Sequence, residues 1–290
     1  MKIGFIGMGI MGVPMSKNVL KAGNEVMVYN RTPERIAPVA EAGAKAVQTP
    51  KLVAQGADAV ILMLTGPEAV DSVLFGEKGV LSGIKPGTPI INMSTVSPAY
   101  SRQLNERIAE ASAVLIDAPV SGSKKPAEDG TLIILAGGPK EKVRELEPLL
   151  LTMGKKVVYC GEAGQGSSMK MAVNLLLGIM MEGFCEAVNF GQRCGLATET
   201  LLDAFLAGPL SCGLFNLKAE MFKNDDFPPQ FPLKHITKDL RFVLQTADEN
   251  GAAIPIGSSL FQLFRLASGQ HWGDMDFAVV KKILEAMSDR

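Results

Sequence analysis

Apolar positions along the first half of the chain alternate between two spacings. Short β-rich runs stand at residues 3–6, 25–29, 59–64, 89–92, 114–117, 132–136 and 156–159, and helical patterns lie between the earlier ones at 13–22, 33–41, 68–74 and 98–111. Strand, helix, strand in repetition predicts a largely parallel sheet with helices on both faces. The runs at 132 and 156 flank a helical segment at 140–151 and are expected to add strands at the sheet edge. Beyond about Gly164 the strand pattern disappears. Residues 166–195 predict one long helix, apolar nearly all round, as expected of a helix buried between domains or subunits. Further helices are predicted at 198–206, 214–222, 233–250, 255–267 and 277–287. The chain therefore reads as two domains, 1–163 and 164–290: an α/β doubly wound sheet followed by an all-α domain.

Composition narrows the function classes. The 290 residues are 47% hydrophobic and carry 29 basic against 30 acidic side chains, a net charge of -1. Such a balance offers no electrostatic footprint for nucleic acid or an anionic membrane, and so much apolar content excludes a disordered chain. With 6% aromatic residues, a stacking platform for single strands is not expected either. Cys160, Cys185, Cys194 and Cys212 have no ligand-like spacing, and His235 and His271 add little, so no metal site is expected. The start of the chain shows no signal-peptide pattern, and the apolar stretch 169–184 carries Lys170 and Glu182 among its residues, which argues against a membrane span. A cytoplasmic protein is the resulting expectation.

The first chemistry-bearing motif is Gly7-Met8-Gly9-Ile10-Met11-Gly12, a G-x-G-x-x-G that leaves a predicted strand and opens a predicted helix. In that setting Gly7 permits the tight turn, Gly9 lets a pyrophosphate approach the backbone, and Gly12 lets helix and strand pack closely. The helix amino terminus adds free N–H groups and a positive dipole end. A Rossmann-type dinucleotide site is the reading, against a chance glycine turn. The second strand ends in Asn30-Arg31-Thr32, with no carboxylate to hold a ribose 2′-hydroxyl. Arg31 offers a planar cation and Thr32 a hydroxyl to a 2′-phosphate, so NADP(H) is expected. The alternative is that Arg31 is a solvated loop cation.

Two further stretches hold candidate chemistry. Asp117-Ala118-Pro119-Val120-Ser121-Gly122-Ser123 follows a strand, where open α/β sheets bind ligands. Ser121, Ser123 and the Gly122 N–H suit a carboxylate, although an ordinary turn would look the same, and Lys124-Lys125 reads as a solvated charge pair. Lys170 and Asn174 stand four apart on the long helix, on a face that otherwise reads as core. A buried unpaired cation is costly, so Lys170 is either a proton donor beside a substrate carbonyl or a lysine snorkelling to solvent.

These motifs together resemble the β-hydroxyacid dehydrogenase family, which includes 3-hydroxyisobutyrate dehydrogenase and tartronate semialdehyde reductase. The likeness runs end to end, through Gly4 to Gly12, Asp117 to Gly122, Gly164 to Asn174 and Lys238-Asp239. It is closer to the glyoxylate/succinic semialdehyde reductases through Asn30-Arg31-Thr32, Ser121 to Gly130 and Phe231 to His235. The resemblance implies that Lys170 is the catalytic acid/base and that Asn174 helps place it. It also implies that Ser121, Gly122 and Ser123 bind the substrate carboxylate and that Thr95 lies along nicotinamide and substrate. Met63 and Leu64 would line the cofactor cleft, and Phe231 and Lys238 would close over the cofactor. Homodimers or homotetramers through the helical domain are implied as well. The expected reaction is NADPH-dependent reduction of a short aldehyde acid, glyoxylate or succinic semialdehyde, with Lys170 as proton donor. A lysine is protonated at neutral pH, which favours that direction. The rival readings are a 3-hydroxyisobutyrate or tartronate semialdehyde enzyme with the same apparatus, and a non-catalytic cofactor-binding scaffold.

Overall fold

The structure, a computed structural model, describes residues 1–288; the last two residues of the expected helical domain lie outside the described residues. The chain divides into two compact units, Met1–Lys170 and Met171–Arg290.

The first unit is built on a nine-stranded sheet. Its strands are β1 (Lys2–Ile6), β2 (Glu25–Tyr29), β3 (Lys45–Ala46), β4 (Ala59–Leu62), β5 (Pro89–Asn92), β6 (Val114–Asp117), β7 (Val120–Ser121), β8 (Leu132–Gly137) and β9 (Gly154–Gly161). From β3 through β2, β1, β4 and β5 to β6 all neighbours are parallel. β4 and β5 are buried at every position, which is why they read as unbroken apolar runs. β8 does not lie at the edge: β6 and β7 pair antiparallel along one side of it, β9 pairs parallel along the other, and β9 closes the sheet. The two-residue strands β3 and β7 are too short to leave a periodic trace.

The apolar faces of the helices fill a layer on each side of the sheet. Helix Gly12–Lys21 presents Met15 and Val19 to one layer, with Ile3 and Phe5 of β1 beneath it. Helix Pro98–Glu110 presents Leu104 and Ile108 to the other, with Val60 and Ile90. Its start is set by Pro98 and by the Ser97 hydroxyl, which accepts from Tyr100 N–H at 3.2 Å. The expected helix at 33–41 is a 3₁₀ turn, Pro33–Ile36, running into Ala37–Ala40.

The chain visits β2 and β3 on one side of β1 and then returns to β4 on the other. This reversal opens a crevice at the carboxyl ends of β1 and β4, the place where open α/β sheets take ligands.

The long helix runs Gln165–Arg193. In the second unit its Met181, Phe184, Cys185 and Val188 enter a core shared with helices Thr198–Ala207, Gly213–Asn224, Leu233–Glu249, Pro255–Gly269 and Lys281–Ser288. Phe184 stacks on Phe215 at 4.3 Å between centroids and touches Phe222 at 4.9 Å. Length and composition alone would let this helix cross a membrane, a test that core helices also pass. The helix is not buried all round: Leu176 is 59% and Phe190 71% exposed, on a side facing away from this core.

Candidate active site

The glycine turn leaves β1 at Gly7, whose φ of +105° suits glycine. A Cβ there would fall 2.2 Å from the Met63 carbonyl oxygen and 3.0 Å from Leu64, so Gly7 lets the loop after β4 come against the turn. At Gly12 a Cβ would meet the Gly7 carbonyl oxygen at 1.8 Å, which is the close strand–helix packing expected of the third glycine. Gly9 is different, because nothing lies within 4 Å of its Cβ position. The backbone there faces open space, as a bound pyrophosphate requires, and the residues present fit a dinucleotide. Met8 and Gly12 are buried, Met11 half-buried and Ile10 exposed.

Asn30 does more than avoid a negative charge. Its Oδ1 accepts from Met8 N–H at 2.9 Å, and its Nδ2 donates to the Thr32 carbonyl at 2.8 Å. The amide thus ties the glycine turn to the strand end, and an aspartate could make only the first bond. Arg31 and Thr32 are exposed beside it.

The next loops are stitched together in sheet order. Met63 N–H donates to the Ile6 carbonyl at 2.9 Å and Met93 N–H to the Leu62 carbonyl at 2.8 Å. Leu64 N–H donates to the Ser94 hydroxyl at 2.9 Å, which sets half-buried Thr95 beside the β4 loop. Ala118 N–H donates to the Asn92 carbonyl at 2.8 Å. Gly7, Met63, Leu64 and Thr95 are therefore brought to one edge of the sheet, far apart though they are in the chain.

Ser121 is held in β7 by pairing with Ile133, and the exposed Gly122 has φ +135°. The hydroxyls of Ser121 and Ser123 make no hydrogen bond among the described residues and stay available to a ligand. Lys124 and Lys125 open a short helix, Lys124–Glu128, and pair with Glu128 and Asp129 on the exposed side, the solvated pair anticipated for them.

Asp117 carries a role that its place in the motif did not reveal. It is fully buried at the carboxyl end of β6. Its Oδ2 accepts from Gly164 N–H at 3.0 Å and Ser167 N–H at 2.8 Å, and its Oδ1 from the Ser167 hydroxyl at 2.7 Å. These are orphan donors at the start of the long helix, satisfied by a carboxylate at the positive end of its dipole. Burial pushes the Asp117 carboxyl up, and the Ser167 and Gly164 bonds pull it back. Gly166 completes the joint, since a Cβ there would lie 2.3 Å from the Asp117 carbonyl oxygen. This welding of the first helical turn to β6 explains why the compact unit extends to Lys170 rather than stopping at 163. Lys170, one residue short of a turn beyond Ser167, is only 6% exposed.

In the second unit, Asn174 is fully buried and its Nδ2 donates to Asp239 Oδ2 at 2.8 Å. That bond fixes the amide so that Oδ1 faces the other way, buried and without a hydrogen-bond partner. Lys238 Nζ lies 2.9 Å from Asp239 Oδ1 and 4.9 Å from the Phe242 ring. Phe231 is half-buried and packs edge-on to Phe277 at 5.7 Å. Its segment hangs on Asp276, whose Oδ2 accepts from the N–H groups of Gln230 and Phe231 and from the buried Lys218 ammonium at 2.8 Å. The bond of Asp239 to Asn174, 65 residues away, and those of Asp276 to Lys218, Gln230 and Phe231 join groups that only the fold brings together.

Comparison with known proteins identifies the family. Residues 2–161 match the NAD binding domain of 6-phosphogluconate dehydrogenase, and residues 164–284 match the NAD-binding region of NADP-dependent 3-hydroxyisobutyrate dehydrogenase. The chain is 40% identical over 280 residues to glyoxylate/succinic semialdehyde reductase 1 of Arabidopsis thaliana, covering 97% of each. It is 38% identical over 288 residues to the chloroplastic reductase 2 of the same plant, covering 99% of this chain and 80% of the relative. The solved structure of Mycobacterium tuberculosis 3-hydroxyisobutyrate dehydrogenase with L-serine superposes with a TM-score of 0.87 at 29% identity, over 98% of both chains. A glycine turn with an open phosphate face, a Rossmann-type sheet, a helical second unit and full-length likeness to these enzymes lead to one conclusion: the chain belongs to the β-hydroxyacid dehydrogenase family of NAD(P)-dependent oxidoreductases acting on CH–OH groups.

Proposed function

We propose that the protein reduces short aldehyde acids with NADPH, taking glyoxylate to glycolate and succinic semialdehyde to 4-hydroxybutyrate, with Lys170 as the proton donor. The bound nicotinamide supplies the hydride. Lys170 supplies the proton: as the carbonyl oxygen gains charge, the ammonium first stabilises and then protonates it, and is reprotonated from solvent. The observation that carries this reading is the burial of Lys170 on a helical turn bonded to β6 through Asp117. A lysine snorkelling to solvent would be exposed. Asn174 follows one turn later on the same helix, its free Oδ1 an acceptor for the ammonium or the product hydroxyl. The available hydroxyls of Ser121 and Ser123, with the Gly122 N–H, support a carboxylate pocket. The exposed Arg31 and Thr32 beside the charge-free Asn30 support recognition of a 2′-phosphate.

The same reading includes a homo-oligomer formed through the helical unit. Leu176, Gly183 and Phe190 recur at seven-residue spacing on the exposed side of the long helix, an apolar stripe suited to a second copy. Light scattering on the purified protein reads the oligomeric state directly.

The test of the catalytic assignment is Lys170→Ala. It is expected to lower kcat by at least about 100-fold while NADPH affinity stays near wild type, and more than about a tenth of wild-type kcat would overturn it. Assays of glyoxylate and succinic semialdehyde against tartronate semialdehyde and 3-hydroxyisobutyrate, with each cofactor, separate this substrate reading from its neighbours in the family.

A further inference from the structure

Asn18 sits on helix Gly12–Lys21, well past the glycine turn, yet its side chain works elsewhere. Its Nδ2 donates to the Ala127 carbonyl at 2.8 Å and to the Glu128 carbonyl at 3.4 Å, 109 and 110 residues away in the chain. These are the last carbonyls of helix Lys124–Glu128, the helix that directly follows Ser121, Gly122 and Ser123.

The hydrogen bonds of that helix end can be accounted for one by one. Asp129 N–H takes the Lys125 carbonyl and Thr131 N–H the Pro126 carbonyl. The carbonyls of Ala127 and Glu128 are left to Asn18, whose amide group has two N–H donors to offer. Ala127 itself is fully buried in the same core layer as Met15 and Val19 of the Asn18 helix. Gly130, at φ +66°, turns the chain away, and a Cβ there would come within 3.5 Å of the Asn18 amide nitrogen.

The Ser121–Gly122–Ser123 segment therefore hangs between two anchors. On one side Val120 and Ser121 pair with Ile134 and Ile133 of β8. On the other, Ala127 N–H holds the Ser123 carbonyl at 3.1 Å, and Asn18 holds the far end of that helical turn. We propose that Asn18 is a positioning residue which sets the carboxylate-binding loop at a fixed distance from the helix behind the glycine turn, so that the acid end of the substrate is registered against the cofactor. This inference rests on the reading of Ser121, Gly122 and Ser123 as the carboxylate pocket.

Asn18→Ala removes the donor, and the isosteric Asn18→Asp replaces it with an anion facing two carbonyl oxygens. For Asn18→Ala, KM for succinic semialdehyde is expected to rise about fivefold, the worth of one neutral hydrogen bond. kcat, NADPH affinity and KM for the uncharged butyraldehyde should each stay within about twofold by the same reasoning, since Asn18 touches none of the groups they report. Asn18→Asp should raise the KM of the acid further than Ala does, and Asn18→Gln, which keeps the amide, should restore part of the loss. An unchanged KM for succinic semialdehyde in both Ala and Asp variants overturns the proposal. So does an equal loss for charged and uncharged aldehydes, or a loss of NADPH affinity in step with KM, because a general loosening of the fold would produce either. Wild-type protein serves as the control for the underlying reading. If it handles butyraldehyde as well as succinic semialdehyde, the carboxylate pocket itself is wrong. If it discriminates and Asn18→Ala keeps the whole discrimination, the Asn18 inference alone fails.

Discussion

Cofactor choice gives the sharpest test of the strand end after β2. Arg31 is exposed and makes no hydrogen bond or ion pair among the described residues, so its removal disturbs no internal contact. Asn30 is another matter, because both ends of its amide are used, one on Met8 N–H and one on the Thr32 carbonyl. Arg31→Leu therefore isolates the attraction of the cation for a 2′-phosphate. A charge-assisted hydrogen bond is worth roughly 1.5–3 kcal/mol, and an exposed, salt-screened site belongs at the lower end, near tenfold in affinity. Calorimetric titration should show NADPH binding weakened about tenfold and NADH binding unchanged, with kcat nearly constant because the reacting ring lies at the other end of the cofactor. The wild-type preference should shrink as salt is raised, and that of Arg31→Leu should not. Adding Asn30→Asp introduces repulsion against the 2′-phosphate. It also supplies the carboxylate that a ribose 2′-hydroxyl would use, so the double variant should erase or reverse the preference for NADPH over NADH. A full NADPH preference retained by Arg31→Leu would refute the reasoning and place phosphate recognition elsewhere.

Three other outcomes follow from particular contacts. Replacing Ser121 and Ser123 together by Ala should lower kcat/KM for succinic semialdehyde about tenfold or more and leave butyraldehyde nearly untouched, measured by steady-state kinetics. Asp117→Ala leaves buried helix N–H groups and the Ser167 hydroxyl without their acceptor; a loss of about 2–3 kcal/mol in urea unfolding is expected, and a change below about 0.5 kcal/mol would contradict the anchoring role. Burial and the neighbouring Glu186 hold the Glu182 carboxyl up to about 7. The folded protein then takes up this proton as pH falls through 7, whereas the unfolded chain does so only near its ordinary value of about 4.3. Stability should therefore decline as pH rises across that window, by at most about 1 kcal/mol for a half-buried group still screened by solvent, and Glu182→Gln should flatten the decline in thermal melts.

Much of the architecture is legible along the chain because secondary structure and its burial are written locally. The apolar runs of β4 and β5 are unbroken because both faces are buried, and the glycine turn between a strand and a helix carries its own meaning. Spacing alone puts Lys170 and Asn174 on one helical face. Four short elements escaped this reading: the two-residue strands β3 and β7, and the five-residue helices Pro50–Ala54 and Lys124–Glu128, which span too little of a helical period to declare themselves. The place of β8 between β6 and β9 was equally silent, since strand order depends on pairing partners and not on pattern.

The polar contacts that fix the candidate residues within each unit were decided by the tertiary structure. Asp117 meets the start of the long helix 47 and 50 residues away, Asn174 meets Asp239 at a separation of 65, and Asn18 reaches Ala127 across 109. A polar side chain carries no local mark of which distant donor or acceptor it will satisfy. Its partner is chosen only when the sheet and helices pack, because burial then makes every unpaired N–H and carbonyl costly and selects the side chain that can reach it.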